Sequence, residues 1–447
     1  MKPSKISKLN LFEVSMIVVS FVIGMGIFRT PVNVAREATS VDMFFWVWAF
    51  GGLAALCGAL TYAEIGSRYP VTGGYYKIFS YCYHPSIAFA INCVILIGNA
   101  SSLAGVSLIG SEYLTNVLFP GVANDVFYKL AIATTTIFVF YGVNLLGLKA
   151  SSRTLNVLTL IKIGMVLLLI SALFTGNFAE TIIEKVIPSE EDGVGGLLKA
   201  LGISLVAVSF TYGGYQQVIN FGGEVRRPSK NLPRGIFIGI SIIMILYMAI
   251  NYAYYKVIGF EELKEAESVA AILAGAIFGE NGFTIFSILL FLSVLAYVNV
   301  MLMSNPRVMY AMSDEGVLPP IFKRTSSKTN VMAISLTTFT ALCLLTLFYA
   351  QTFDAILNYV IFLDSIGMAT SAATIFILRK KTAHLNHKDI YKIKLYPWIP
   401  LFFIASYLLA GISIAIFTPK AAIISTTVFV VFFLLYFILK KLRNHNT

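Results

Sequence analysis

The chain has 447 residues, 57% of them hydrophobic and 12% charged, with a mean hydropathy of +0.81. Those proportions exclude a soluble globular protein. The formal net charge of +11 suggests a polyanionic partner, but the placement of the cations assigns it to membrane topology, and no nucleic-acid binding is expected.

Apolar runs long enough to cross a bilayer recur along the whole chain. Twelve spans are predicted, at 11–33, 42–66, 86–118, 127–147, 154–174, 196–221, 234–257, 281–311, 331–350, 354–378, 397–416 and 421–440. The third and eighth are long enough to tilt or protrude. The first run is too long for a signal h-region and no small-residue cleavage site follows it, so it is read as retained. The fold class is therefore an all-α integral membrane protein, multi-pass in a lipid bilayer. With the N-terminus inside, the outer segments hold only Arg29, Arg36, Lys129, Lys185, Lys199, Lys256, Lys264 and Lys420 of the 33 Lys and Arg. Lys162 lies within a span, and all the others fall inside. This bias places both termini in the cytoplasm, with the cell membrane as location. The acidic run Ser189-Glu190-Glu191-Asp192 is read as a solvated outer loop. Cys57, Cys82, Cys93 and Cys343 sit in or beside spans and form neither a disulfide framework nor a metal motif.

Two spans carry glycine near mid-membrane. The first, Leu11 to Pro31, is interrupted at Gly24-Met25-Gly26, and the sixth, Gly195 to Phe221, at Gly213-Gly214. Hydrocarbon offers no water to freed backbone groups, so such breaks survive only where protein or ligand supplies partners. Broken helices in matching halves point to a transporter's binding site. They suggest a five-plus-five inverted repeat, with 11–175 as the first copy, 195–378 as the second and 397–440 as two added helices. After the first break, free N–H groups near Met25, Gly26 and Ile27 form a site for a carboxylate. Carbonyls of Phe210, Thr211 and Tyr212, with those of Val22 and Ile23, are left to accept from an ammonium. The pairing suits the backbone of an α-amino acid.

Two ionisable residues lie inside spans, where each is costly and a candidate for function. Lys162 is too deep in span five to reach the surface easily. Asp364, near the middle of span ten, is open to two readings. One is recognition of a polar or cationic substrate side chain; the other is a structural carboxyl, bonded or protonated. Glu64 and Glu224, near Arg68 and Arg226, are read as charge networks that close the inner face. No nucleophile motif, phosphate loop or metal cluster is present, so neither enzyme activity nor a cofactor is expected.

The stretch Val22-Ile23-Gly24-Met25-Gly26-Ile27-Phe28 resembles the first-helix GSGIF signature of the amino acid–polyamine–organocation (APC) superfamily. Phe210 to Pro233 (FTYGGYQQVINFGGEVRRPSKNLP) is similar to its L-amino-acid transporter (LAT) branch. Arg307-Val308-Met309-Tyr310 with Glu315-Gly316-Val317-Leu318-Pro319 resembles that branch at the inner end of span eight. The resemblance implies a LeuT-like fold with broken helices 1 and 6, and amino acid uptake or exchange by alternating access. It implies that Gly24, Met25 and Gly26 hold the substrate carboxylate, that carbonyls of Val22, Phe210 and Gly213 hold the ammonium, and that Phe210 is a gate. Met25 departs from the pattern, which has Ser there, so a hydroxyl donor is lost. By the same resemblance Lys162 stands where sodium-coupled relatives bind sodium, bridging the first break and span eight.

The expected function is a sodium-independent exchanger or facilitator of neutral L-amino acids, acting without an ancillary subunit because no cysteine lies in an outer loop. Proton-coupled uptake of polar or cationic amino acids is the alternative, and a channel is the alternative of another class.

Overall fold

The computed structural model describes residues 8–122, 125–176, 194–266, 268–349, 353–384 and 390–444. The acidic run 189–192, Lys2, Lys5 and Lys185 lie outside them. The described chain is helical, and its only β-pairing is two isolated bridges, Leu9 with Val225 and Thr72 with Phe221.

The helices run α1 (Leu11–Val22), α2 (Gly26–Glu37), α3 (Val41–Arg68), α4 (Gly74–Cys82), α5 (Pro85–Leu118), α6 (Val126–Leu145), α7 (Leu148–Ile170) and α8 (Val194–Thr211). They continue with α9 (Pro228–Ile258), α10 (Phe260–Glu265), α11 (Val269–Phe278), α12 (Gly282–Asp314), α13 (Ala333–Tyr349), α14 (Phe353–Lys381), α15 (Trp398–Phe417) and α16 (Pro419–Asn444). Among the described residues nine helical segments are long and apolar enough to cross a membrane, and the bent pair α1–α2 makes ten. The shorter α13 and the 18-residue α8 fall on the two remaining predicted spans. Three short helices, α4, α10 and α11, were not foreseen. α4 and α10 lie between spans in mixed polar sequence, while α11 (VAAILAGAIF) is apolar but, at ten residues, too short to cross a bilayer alone.

Helix starts follow local chemistry. Asn10 caps α1 in a reciprocal box: its Oδ1 accepts from the Glu13 N–H at 3.0 Å, and the Glu13 carboxylate accepts from the Asn10 N–H at 2.8 Å. Ser40 accepts from Met43 N at α3, and Asp125 from Phe127 N at α6.

Two groups of helices pack among themselves. In one, α1 and α3 both lie on α9, and α2 and α3 lie on α8. In the other, α5, α6, α12 and α13 pack on one another. The outer surface is apolar, with Trp46, Phe127, Ile245 and Ile423 all exposed, as expected of faces turned to lipid.

Close approach of α9 to α1 depends on Gly239. A methyl there would lie 2.5 Å from Val18 Cγ1 and 3.3 Å from the Ser15 carbonyl, one of them backbone that cannot swing aside. Gly239→Ala is therefore expected to cost about 1–3 kcal/mol by overpacking, read as a lower thermal midpoint in detergent. Gly142→Ala, whose methyl meets nothing within 4 Å, is the control. Equal midpoints for the two would contradict this packing.

Candidate functional site

The first break is a 45° bend between α1 and α2. Residues 23–25 leave helical geometry there, and among the described residues the N–H groups of Gly24, Met25, Gly26 and Ile27 take no acceptor. These are the orphan donors at the start of α2. The carbonyls on the other side of the break are occupied. Val22 O accepts from Tyr247 Oη at 2.9 Å, and Ile23 O accepts from Lys162 Nζ at 2.6 Å.

The second break differs from the sequence reading. After α8 the chain turns through 212–214 and continues as a six-residue 3₁₀ helix, Tyr215–Asn220, not as an α-helix. The turn requires Gly214, whose φ of +106° places it where side chains are strained and whose missing methyl would sit 2.9 Å from the Phe21 carbonyl. The Phe210 carbonyl is partly satisfied by Gly213 N at 3.0 Å, and the Thr211 carbonyl by Tyr247 Oη at 3.4 Å.

The two breaks touch. Thr30 Oγ1 on α2 and Thr211 Oγ1 on α8 are hydrogen-bonded at 2.7 Å. Gly26 allows this approach, since a methyl there would lie 2.9 Å from the same Thr211 oxygen. Where they meet, a cavity of about 250 Å³ is lined by Val22, Gly24, Met25, Gly26, Phe210, Gly213 and Asp364 among others. Phe210 lines it and is 37% exposed in all despite lying in a span. The mouth is on the α2 side, where Arg29 and Asn33 are exposed.

Not every residue expected at the site lines it. Ile23 is fully buried and offers only its carbonyl, to Lys162. Tyr212 is buried away from the cavity, with its ring against Trp48 and Tyr247. Lys162 is also fully buried. It does not bridge to α12 as expected; its ammonium donates to Ser20 O at 3.3 Å and Ile23 O at 2.6 Å, both in the first span. The link to α12 comes from Ser20, whose hydroxyl donates to Ala296 O at 3.1 Å.

Other cavity residues were missed by the sequence reading. Asn99 on α5 donates to Asn305 Oδ1 at 2.7 Å and accepts from Gln217 Nε2 at 3.1 Å, forming an amide floor. Ser102 and Tyr297 share a hydrogen bond of 2.8 Å in the lining. Amides and hydroxyls inside apolar runs were the available signal. Tyr247 had none beyond being one tyrosine in a tyrosine-rich span.

Beyond the floor lies the end of the bundle that carries Arg68, Arg307 and Arg379. Fully buried Glu64 accepts from Arg68 Nε at 2.7 Å, from Arg379 Nε and Nη2 at 2.8 and 2.7 Å, and from Ile393 N at 2.8 Å. It thereby ties α3 to α14 and to the segment before α15. Glu224 pairs with Arg307 through both oxygens, at 3.0 and 2.6 Å. The Leu9 N–H donates to Glu224 O, and Arg226 N to Leu9 O, each at 2.8 Å. A second cavity, of about 460 Å³, enters from this end, lined by Ser151, Glu224, Leu302, Met303, Arg307 and Lys328 among others. The first cavity reaches Met301 of the same helix, so the two approach from opposite ends.

A family model described as amino acid permease matches residues 9–439. The serine/threonine exchanger SteT of Bacillus subtilis (strain 168) is 27% identical over 396 residues, covering 87% of this chain and 86% of that protein. Solute carrier family 7 member 13 of Mus musculus is 27% identical over 392 residues, 86% and 79% of the two chains. The large neutral amino acids transporter small subunit 2 of Mus musculus is 27% identical over 411 residues, 90% and 76%.

The Glu64 cluster sets a stability expectation. Glu64→Ala strands Arg68 and Arg379 without their carboxylate and is expected to cost about 3–5 kcal/mol. Glu261→Ala breaks only the exposed pair with Lys264 and should cost at most about 1 kcal/mol. Thermal unfolding of both variants in detergent checks this, and similar losses would contradict it.

Proposed function

Because the chain belongs to the amino acid permease family, we propose that this amino acid transporter is a sodium-independent exchanger or facilitator of neutral L-amino acids in the cell membrane, with both termini in the cytoplasm. One observation carries the reading. Of the four backbone N–H groups without acceptors, those of Gly24, Met25 and Gly26 belong to residues that line the same cavity as the carbonyl end of α8. A carboxylate is stabilised at the first and an ammonium at the second. Val22, already bonded to Tyr247, keeps one lone pair for that ammonium; Phe210, already bonded to Gly213, keeps the same. Ile23 and Tyr212 contribute at most backbone carbonyls.

Lys162 places its amine under the first break, in contact with the carbonyls of Ser20 and Ile23. A bound cation would coordinate such carbonyls, and the ammonium takes that role. This supports transport without sodium.

Alternating access follows from the two packing groups. The group of α1, α2, α3, α8 and α9 rocks against the group of α5, α6, α12 and α13, with 11–175 and 195–378 as inverted copies. The two cavities separated along α12 at Met301 to Met303 support this reading. We take the cavity on the Arg29 side as facing outward, and the Glu64 and Glu224 clusters as the closed cytoplasmic side. No ancillary subunit is proposed. The mouse relative's name marks that protein as a small subunit, whereas three of the four cysteines here are buried and the fourth, Cys93, is half-buried within α5.

Purified protein alone in proteoliposomes is expected to take up labelled neutral amino acids with saturation. Uptake should accelerate when unlabelled substrate is inside and stay unchanged when choline replaces sodium. Sodium-dependent uptake would overturn the role of Lys162, and unsaturable flux would indicate a channel. Lys162→Ala loses two charge-assisted hydrogen bonds, worth about 1.5–3 kcal/mol each, and should cut uptake roughly tenfold or more. Met25→Ser keeps the N–H donor and adds a hydroxyl, so it should leave uptake intact or strengthen it. Abolished uptake in that variant would contradict the carboxylate position.

A further inference from the structure

Asp364 on α14 lines the cavity between the two breaks. Among the described residues no hydrogen-bond donor and no cationic side chain pairs with its carboxylate. The groups within electrostatic range are four tyrosines from four different elements: Tyr75 on α4, Tyr215 on the 3₁₀ helix, Tyr297 on α12 and Tyr407 on α15. Three of their hydroxyls are committed elsewhere. Tyr75 Oη bonds Ser371 Oγ at 3.1 Å, Tyr297 Oη bonds Ser102 Oγ, and Tyr407 Oη donates to Ser209 O at 3.3 Å. The Tyr215 hydroxyl has no partner and does not donate to the carboxylate either. The other charged group of the lining, Arg29, is exposed at the mouth. Lys162 is held at Ile23 O and lies outside the lining.

An anionic side chain inside a span that the fold itself leaves unpaired is costly. Facing a ligand cavity, it is compensated by the ligand. The α-ammonium already has acceptors at the carbonyls beside the two breaks, so the charge at Asp364 is spare. We propose that Asp364 reads the substrate side chain, and that the site extends beyond neutral amino acids to those whose side chain ends in an ammonium or guanidinium. The rings of Tyr297 and Phe210 line the same cavity as the carboxylate, and an aromatic face beside a carboxylate favours a cation over a neutral polar group. A site with a placed ionic partner discriminates strongly against an analogue lacking the matching group, which leaves the partner unpaired. This inference rests on the amino acid transport reading above and assigns the substrate class of the same site.

The test is competition against uptake of a labelled neutral amino acid in proteoliposomes, comparing unlabelled lysine with norleucine. Norleucine has the same four-carbon side chain without the ammonium. In the unaltered protein lysine is expected to compete at least about tenfold better, equivalent to about 1.4 kcal/mol. In Asp364→Asn that preference should fall to near one, and Asp364→Glu should restore part of it. Three results would overturn the proposal: lysine competing no better than norleucine in the unaltered protein; the same preference persisting in Asp364→Asn; or equal loss of both competitors in that variant, which would place the carboxylate at the α-ammonium. If neutral amino acids are carried and lysine is not, only this inference fails. If no amino acid is carried, the transport reading fails with it.

Discussion

In hydrocarbon every backbone donor and acceptor must find a partner within the protein or its ligand. Most of this structure can be read as the answer to that demand at two places, residues 22–27 and 210–214. Several carbonyls there have donors: Val22 has the hydroxyl of Tyr247, which lies at longer range from Thr211, Ile23 has Lys162, and Phe210 has Gly213. The N–H groups from Gly24 to Ile27 are not met. The asymmetry leaves a cluster of partial positive charge at the cavity wall. In the proposed reading a substrate carboxylate completes that cluster.

The same demand explains features that otherwise look unrelated. Lys162 is fully buried yet tolerated, because two carbonyls freed by the bend accept from it. Gly26 and Gly214 are small because the two broken segments cross within van der Waals distance, one against Thr211 and the other against the Phe21 carbonyl. Thr30 and Thr211 then hold the crossing by a hydrogen bond. Bend, lysine and glycines form one unit, and altering any of them exposes polar backbone that lipid cannot solvate.

The end of the bundle opposite the mouth is closed by a different kind of contact. Glu64 gathers two arginines and a backbone N–H, and Glu224 clasps Arg307 while its own backbone pairs with Leu9. Burying such pairs gains little stability over an apolar contact of similar shape, because desolvation offsets the attraction. Their geometry fixes which elements meet, however, and water can dissolve them once it enters. In the proposed alternating-access reading, a closure built from ion pairs suits a face that opens again.

The sequence by itself determined the span pattern, because runs of apolar residues record directly which segments lie in lipid. It also located both breaks and singled out Lys162 and Asp364, since glycine pairs and ionisable residues are conspicuous inside such runs. Gly24, Met25, Gly26, Phe210 and Asp364 all line the cavity. That the second half of span six is 3₁₀ helix came from tertiary contacts, because its last residue is held from outside the span: Asn220 O accepts from Gly73 N, its Oδ1 accepts from Tyr75 N, and its Nδ2 donates to Ser304 Oγ of α12. The tertiary structure also decided that Tyr212 turns away from the cavity while Asn99 and Tyr297 turn into it. A hydropathy pattern reports depth in the membrane, whereas the direction of a side chain about the helix axis is set by which neighbours pack against it. Tyr247 shows the difference most plainly. Nothing local marks it, and its role exists only because α9 lies against both broken spans at once.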